Sequence, residues 1–162
     1  MINEPEAIER LAQLACQWAL EQEAFVLKLG APLTASQLAD AARVGVKDAA
    51  RVRVLPVDRM PLPGNLELAE AARRSQIITD ASPAVTLGHG IIVRADRWHD
   101  RELLLHQLVH VAQCERCGGL EAFVEEYLTD RSTCPDFTVG SLEDEARTLA
   151  REICGGEATA AS

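Results

Sequence analysis

Apolar residues recur every three or four positions along residues 5–29, which predicts one long amphipathic helix. The apolar stripe consists of Ile8, Leu11, Ala15, Trp18, Phe25 and Leu29. Gly30 and Pro32 follow directly and are expected to end the helix. The first fifth of the chain therefore forms a helix with one face available for packing.

Four further segments follow before residue 95. Thr34 and Gln37 stand three positions apart in a capping-box pattern, which predicts a second helix ending near Gly45. Alternating apolar positions over residues 51–57 predict a strand. A proline-rich loop then leads into a helix over 65–74. The β-rich residues 84–94 predict one strand, with a bulge or tight bend at its glycines.

The C-terminal half is predicted to be helical. One helix covers residues 100–117 and ends at Gly118-Gly119, and another covers 120–129. A loop containing Cys134-Pro135 follows. The capping-box spacing of Ser141 to Asp144 opens a last helix, which Gly155-Gly156 should end.

These elements predict an α+β fold in which helices pack around a small mixed β-sheet. The 162 residues suffice for one domain with its own core. We expect that domain over 1–156, with N-terminal helices over 1–45 and a core over 50–153. Residues 157–162 are expected to form a disordered tail.

The charge of the chain narrows the range of partners. Its formal net charge is −9, and no basic stripe with interleaved aromatic residues is present, so a nucleic-acid partner is not expected. No apolar run is long enough to span a membrane, and a membrane partner is not expected. The acidic first residues lack the pattern of a signal peptide, which leads us to expect a cytoplasmic location.

The five cysteines allow three interpretations. They stand at 16, 114, 117, 134 and 154, and the odd count favours free thiols. Cys114 and Cys117 form a CxxC, so a structural zinc or redox site and a disulfide to Cys134 are the alternatives. The spacing lacks paired CxxC motifs, and reduced packing thiols are the favoured reading.

The clearest candidate chemistry lies in the helix over 100–117. His106 and His110 are one turn apart, so both imidazoles can reach a single metal ion. Glu143, near the start of the last helix, can supply a third ligand and leave a fourth position open. The ordinary alternatives are two unrelated histidines and a carboxylate that complements the helix dipole.

The strand before the histidine helix is a candidate substrate site. Gly90, Ile91, Ile92 and Val93 could form an edge strand along which an extended peptide binds by strand addition. An ordinary core strand is the alternative.

These motifs together resemble a known family. His106-Gln107-Leu108-Val109-His110 resembles the HExxH of zinc peptidases, and Glu143 to Ala146 is similar to the E-x-x-A helix of gluzincins. The segments 88–94, 100–104, 110–116 and 118–146 resemble small bacterial minigluzincin-like proteins, mostly uncharacterised. The resemblance covers roughly residues 50–153.

The resemblance implies a gluzincin-type active-site helix, a glutamate helix and one Zn²⁺ held by His106, His110 and Glu143. It implies hydrolysis of a peptide or protein substrate by metal-activated water. Gln107 stands where the family has its general-base glutamate, and an amide cannot accept and return the proton. We therefore expect an inactive or severely impaired metallopeptidase; a non-catalytic, metal-stabilised peptide- or protein-binding module is the alternative.

Two explanations of Gln107 compete, an engineered Glu→Gln replacement and a natural pseudoenzyme. The otherwise intact motif favours the first. Tyr127 and His89 are candidate stabilisers of an oxyanion. Gln113, one turn after His110, is a candidate outer partner of that histidine. Gluzincins often have an acid one turn after the glutamate ligand, whereas Arg147 stands there in this chain.

Overall fold

The computed structural model describes residues 4–75, 77–133 and 141–161. They form six α-helices and one four-stranded sheet, together with two short 3₁₀ turns, which confirms the α+β class. In chain order the elements are α1 (Glu4–Leu29), β1 (Ala31–Pro32), α2 (Ala35–Arg43), β2 (Arg53–Val57), α3 (Leu66–Ser75), β3 (Ala84–Leu87), β4 (Gly90–Arg94), α4 (Arg101–Cys117), α5 (Leu120–Thr133) and α6 (Leu142–Ala161).

Helix starts follow the predicted caps. The backbone N–H of Gln37 donates to Thr34 Oγ1 at 3.2 Å, and Gln37 Oε1 accepts from the Thr34 N–H at 2.9 Å, so the capping box of α2 is complete. Ser141 Oγ accepts from the Asp144 N–H at 3.0 Å and begins α6 in the same way. These caps are local in sequence and therefore readable from it.

The end of α6 differs from the prediction. The helix continues through Gly155 and Gly156 to Ala161, so the predicted end at the two glycines is wrong. Glycine inside a helix costs only about 1 kcal/mol relative to alanine, and two of them do not stop a helix of 20 residues. Residues 157–161 belong to α6, where a disordered tail was expected.

The sheet is mixed, with the strand order β1-β2-β4-β3. β2 and β4 are parallel, whereas β1–β2 and β3–β4 are antiparallel. β4 therefore lies inside the sheet, with hydrogen-bonded neighbours on both sides. The prediction that Gly90, Ile91, Ile92 and Val93 form a substrate edge strand is wrong, because β2 and β3 already occupy both edges of β4.

The predicted single strand over 84–94 is a hairpin. β3 and β4 are joined by a two-residue turn at Gly88 and His89, and Leu87 pairs with Gly90. Gly88 has φ 65, and a Cβ there would collide with the Glu23 carboxylate. The turn requires glycine for both reasons, and β3, which pairs only with β4, is one of the two edge strands of the sheet.

Apolar clusters cover the two faces of the sheet. One face packs against α4 through residues that include Val54, Ile91 and Val93. The other packs against α1 through residues that include Leu87 and Ile92. Ile91 and Val93 face one cluster and Ile92 faces the other, because successive residues of a strand point to opposite faces of the sheet. Both faces of this sheet are therefore buried. None of the helices in the described ranges combines the length and apolarity that crossing a membrane requires.

Helix α4 is held by polar contacts at both ends. At its start, Arg101 donates to both carboxylate oxygens of Asp40 in α2, at 2.8 and 3.0 Å. Near its end, Glu115 accepts from the backbone N–H groups of Lys47 and Asp48 at 2.7 and 3.0 Å. His89 Nε2 lies 2.9 Å from the same Glu115 carboxylate. These contacts fix the helix that carries the two histidines.

Replacing Glu115 by glutamine is expected to lower the free energy of unfolding by about 2 kcal/mol near neutral pH, because the amide cannot accept all three hydrogen bonds. Burial raises the pKa of Glu115, but the hydrogen bonds from Lys47, His89 and Asp48 outweigh it and hold the pKa below its usual 4.5. The stabilisation is therefore present above pH 4.5 and is lost as the pH falls through the lower folded-state pKa. Urea unfolding across pH measures this. A difference between the two proteins that stays constant down to about pH 3 would contradict the assignment.

Candidate metal centre

The two histidines of α4 face the same region. Their ring centroids are 4.9 Å apart and their planes are nearly perpendicular, as the one-turn spacing predicts. His110 is only 5% exposed, and almost all residues from Leu104 to Cys114 are buried. The packing of α4 on the sheet therefore leaves the His110 imidazole little freedom, whereas His106 is partly exposed.

Glu143, in the first turn of α6, lies between the two imidazoles. His106 Nε2 is 2.9 Å from Glu143 Oε2, and His110 Nε2 is 3.1 Å from Glu143 Oε1. The potential ligand atoms of the three residues lie within 4.8 Å of one another. The predicted set of His106, His110 and Glu143 is thus brought together, and it could hold a metal ion.

The separations fit a small divalent ion. Ligands at roughly 2.0–2.1 Å from a tetrahedral zinc ion lie about 3.4 Å from each other. The two nitrogen–oxygen distances, 2.9 and 3.1 Å, need to widen only slightly to reach that value. Both histidines present Nε2, so one ion could be bound without any change in the path of α4 or α6.

The two histidines favour the ionised form of the Glu143 carboxylate. Burial by itself raises the pKa of Glu143, but the hydrogen bonds to His106 and His110 and the charges of the two rings outweigh that effect. The resulting pKa lies far below the usual range of a glutamate. An ionised carboxylate with 17% of its side chain exposed is the form that binds a cation.

Gln113 orients His110, as the sequence suggested. Its Oε1 lies 2.8 Å from His110 Nδ1, while its amide nitrogen donates to Leu142 O at 3.0 Å and Glu145 Oε1 at 3.1 Å. Because the Gln113 nitrogen is occupied, its oxygen accepts from Nδ1–H of His110. Nδ1 thereby keeps its proton when a metal ion replaces the Nε2–H contact with Glu143, so that the lone pair of Nε2 can bind the ion.

Tyr127 of α5 also contacts the centre. Its hydroxyl donates to Glu143 Oε1 at 2.7 Å. The predicted oxyanion role of Tyr127 remains a prediction, because its observed partner is the carboxylate ligand. Arg147, where gluzincins often have an acid, donates to Asp144 Oδ1 at 3.2 Å.

His89 is not brought to the centre. Its ring pairs with Glu115, and it is not among the residues that line the cavity beside the two α4 histidines. The prediction that His89 stabilises an oxyanion is therefore wrong for this arrangement. The physical reason is the hairpin turn, which directs His89 toward the C-terminal part of α4.

Gln107 is held by a contact that the sequence did not reveal. Thr86 Oγ1 lies 2.8 Å from Gln107 Oε1 and 3.1 Å from Gln107 O, and its single hydroxyl hydrogen is shared between these two acceptors. Both residues are buried, and Gln107 is 5% exposed. Thr86 is a polar residue in an otherwise apolar strand, which was the only available signal.

A cavity of about 1290 Å³ adjoins the centre. His106, Gln107, His110, Tyr127 and Glu143 line one part of it. The rest is mostly apolar and comes from α1, α3, α5 and β3. The candidate ligands therefore line a large and mostly apolar cavity.

None of the cysteines in the described part of the chain belongs to the candidate metal group. Cys16, Cys114, Cys117 and Cys154 form no disulfide with one another, and Cys134 lies outside the described residues. Burial, followed by the nearby charge of Glu23, raises the pKa of Cys114 to about 12. Within the described ranges, His106, His110 and Glu143 are the only group of three or more potential ligands.

Comparison with known proteins gives no further assignment. No protein-family model matches the chain, and neither does any curated protein or solved structure. The function is therefore argued from the geometry of the metal centre and its cavity.

Proposed function

We propose that this chain is a minimal gluzincin-type zinc metallopeptidase whose hydrolytic step is severely impaired by Gln107. One observation carries the proposal: two Nε2 atoms from one helical turn and a carboxylate from a distant helix converge within hydrogen-bonding distance. α4 would be the active-site helix and α6 the glutamate helix of the gluzincin arrangement.

The donor set favours zinc. Two imidazole nitrogens and one carboxylate are the protein ligands of several catalytic zinc sites, in which a fourth position is left open. Bound there, zinc would act as a Lewis acid toward the scissile carbonyl and the attacking water. Gln113 would hold His110 in the required tautomer, and Tyr127 would restrain the Glu143 carboxylate.

The side chain at position 107 would limit turnover. A general base takes a proton from water and returns it to the leaving amine, which typically contributes about 10²–10⁴-fold. The Gln107 amide is neutral, and its oxygen accepts from the Thr86 hydroxyl. Zinc and substrate binding would be retained while proton transfer is lost.

The edge strand β3 is a suitable site for a peptide. Arg94 N–H donates to Pro83 O at 2.9 Å, which makes residues 85 and 87 the hydrogen-bonded partners of β4. Ala84 and Thr86 therefore direct their backbone N–H and C=O groups away from the sheet. An extended peptide could pair with these groups beside the metal centre.

Metal binding tests the proposal. The purified chain is expected to bind one Zn²⁺, measured by calorimetry and by elemental analysis after dialysis. Replacing Glu143 by glutamine removes the anionic ligand and is expected to weaken binding by at least 10-fold. Glu121→Gln, the same change on the exposed side of α5, is the matched control. Equal zinc affinity in all three proteins would refute the centre.

A non-catalytic, metal-stabilised peptide- or protein-binding module is the second candidate. The anchoring of Gln107 by Thr86 favours it, because a binding site benefits from a fixed amide and needs no proton acceptor. The effect of a carboxylate at position 107 on hydrolysis separates the two candidates.

A further inference from the structure

We infer that the metal centre binds the C-terminal carboxylate of an apolar peptide, with the Gln107 side-chain amide donating a hydrogen bond to it. This inference rests on the proposed zinc centre and specifies its ligand. Gln107, which cannot serve as a catalytic base, would then contribute directly to ligand binding.

Gln107 has a buried hydrogen-bond donor without an acceptor in the described part of the chain. Gln107 Oε1 accepts from Thr86, but Gln107 Nε2 has no hydrogen-bond partner in the described part of the chain. The residue is 95% buried and lines the cavity together with His106 and His110. Buried polar groups in native proteins are nearly always hydrogen-bonded, so an acceptor is expected from a ligand.

The net charge of the proposed zinc centre favours an anionic ligand. A divalent ion with one carboxylate ligand and two neutral imidazoles leaves the centre with one positive charge. A single carboxylate from a ligand would neutralise it. A glutamate at position 107 would repel that carboxylate, whereas a glutamine can donate to it. The residue at 107 thus suits an anionic oxygen ligand better than a water molecule that must lose a proton.

The surroundings of the centre favour a peptide as the carrier of this carboxylate. The outward N–H and C=O groups of Thr86 lack partners in the described residues, although Thr86 is 8% exposed. A peptide backbone supplies complementary groups, while an alkyl chain does not. Beside this strand, the small side chains of Ala12, Ala15, Ala71 and Ala72 leave an apolar space. An apolar C-terminal residue would fit there.

The test compares two probes on the zinc-loaded full chain. Acetyl-Ala-Ala-Ala-Leu with a free carboxylate and the same peptide with a C-terminal amide are titrated by calorimetry. We expect the acid to bind at least 10-fold more tightly than the amide. Equal affinities would overturn the inference, and dodecanoate binding as tightly as the peptide would overturn the choice of a peptide.

Three variants test the role of Gln107. Gln107→Met removes the donor without adding charge and is expected to weaken binding of the acid about 10-fold, with little effect on the amide. Gln107→Glu should weaken it further by repulsion. Gln13→Glu makes the same charge change on an exposed part of α1 and should have no effect. Unchanged or tighter binding of the acid by Gln107→Glu would overturn the inference.

The failures of the two proposals are distinguishable. If zinc does not bind at one ion per chain, the metal centre and the inference both fail. If zinc binds and Glu143→Gln weakens its binding, but the peptide acid and the peptide amide bind with equal affinity, the metal centre stands. Only the assignment of a carboxylate ligand then fails.

Discussion

Replacing Gln107 by glutamate is expected to raise the rate of zinc-dependent peptide hydrolysis by about 10²–10⁴-fold. The new carboxylate would occupy the place of the amide, and the Thr86 hydroxyl that now donates to Gln107 Oε1 at 2.8 Å would hold one carboxylate oxygen. The other oxygen would be free to accept a proton from water. A fluorogenic peptide library reports the gain, with and without a chelator.

Two controls make this result specific. Gln13→Glu adds the same charge outside the centre and should leave the background rate unchanged. The double change Gln107→Glu with His106→Ala should return the rate to background, because the carboxylate then has no metal to act with. Zinc-loaded Gln107→Glu protein that cleaves nothing across a broad library would favour the binding module.

Removing both histidines is expected to destabilise the metal-free protein by about 3 kcal/mol, independently of any function. In His106→Ala with His110→Ala, the Glu143 carboxylate loses partners at 2.9 and 3.1 Å and is left largely buried. The single hydrogen bond from the Tyr127 hydroxyl is not enough to stabilise a buried, unpaired carboxylate. Urea unfolding in the presence of a chelator measures the loss.

Adding Glu143→Gln to this double variant should restore a large part of the stability, because the buried charge is then removed together with its partners. Cavity effects from the missing imidazoles remain in both variants and cancel in the comparison. If the triple variant is no more stable than the double, Glu143 does not depend on the histidines and the centre is assigned incorrectly.

The features that the sequence predicted well are local ones. The helical spacing of His106 and His110 places them on one turn of α4, and the cap at Ser141 fixes where α6 begins and so where Glu143 lies. The outer partner Gln113 is also one turn from its histidine. In each case the distance along the chain is at most four residues, which helix geometry converts directly into a position.

The features that the sequence missed depend on distant pairing. A tight bend was predicted at the glycines of residues 84–94, but nothing in that segment indicated that the bend is a hairpin turn or that β4 lies inside the sheet. The contact of Thr86 with Gln107 spans 21 residues, and that of Glu115 with Lys47 spans 68. Such contacts arise from the topology of the sheet and from helix packing, which a pattern of apolar positions does not specify.

Gln113 connects the two helices that carry the candidate ligands, through His110 on α4 and through Leu142 O and Glu145 on α6. The spacing of the ligands is consequently set by the protein before any ion arrives. Uptake and exchange of metal should then proceed without refolding, and Co²⁺ could replace Zn²⁺ as a visible spectroscopic reporter of the ligand field. The metal affinity of the centre would then depend mainly on the chemistry of the ion and little on conformational change of the protein.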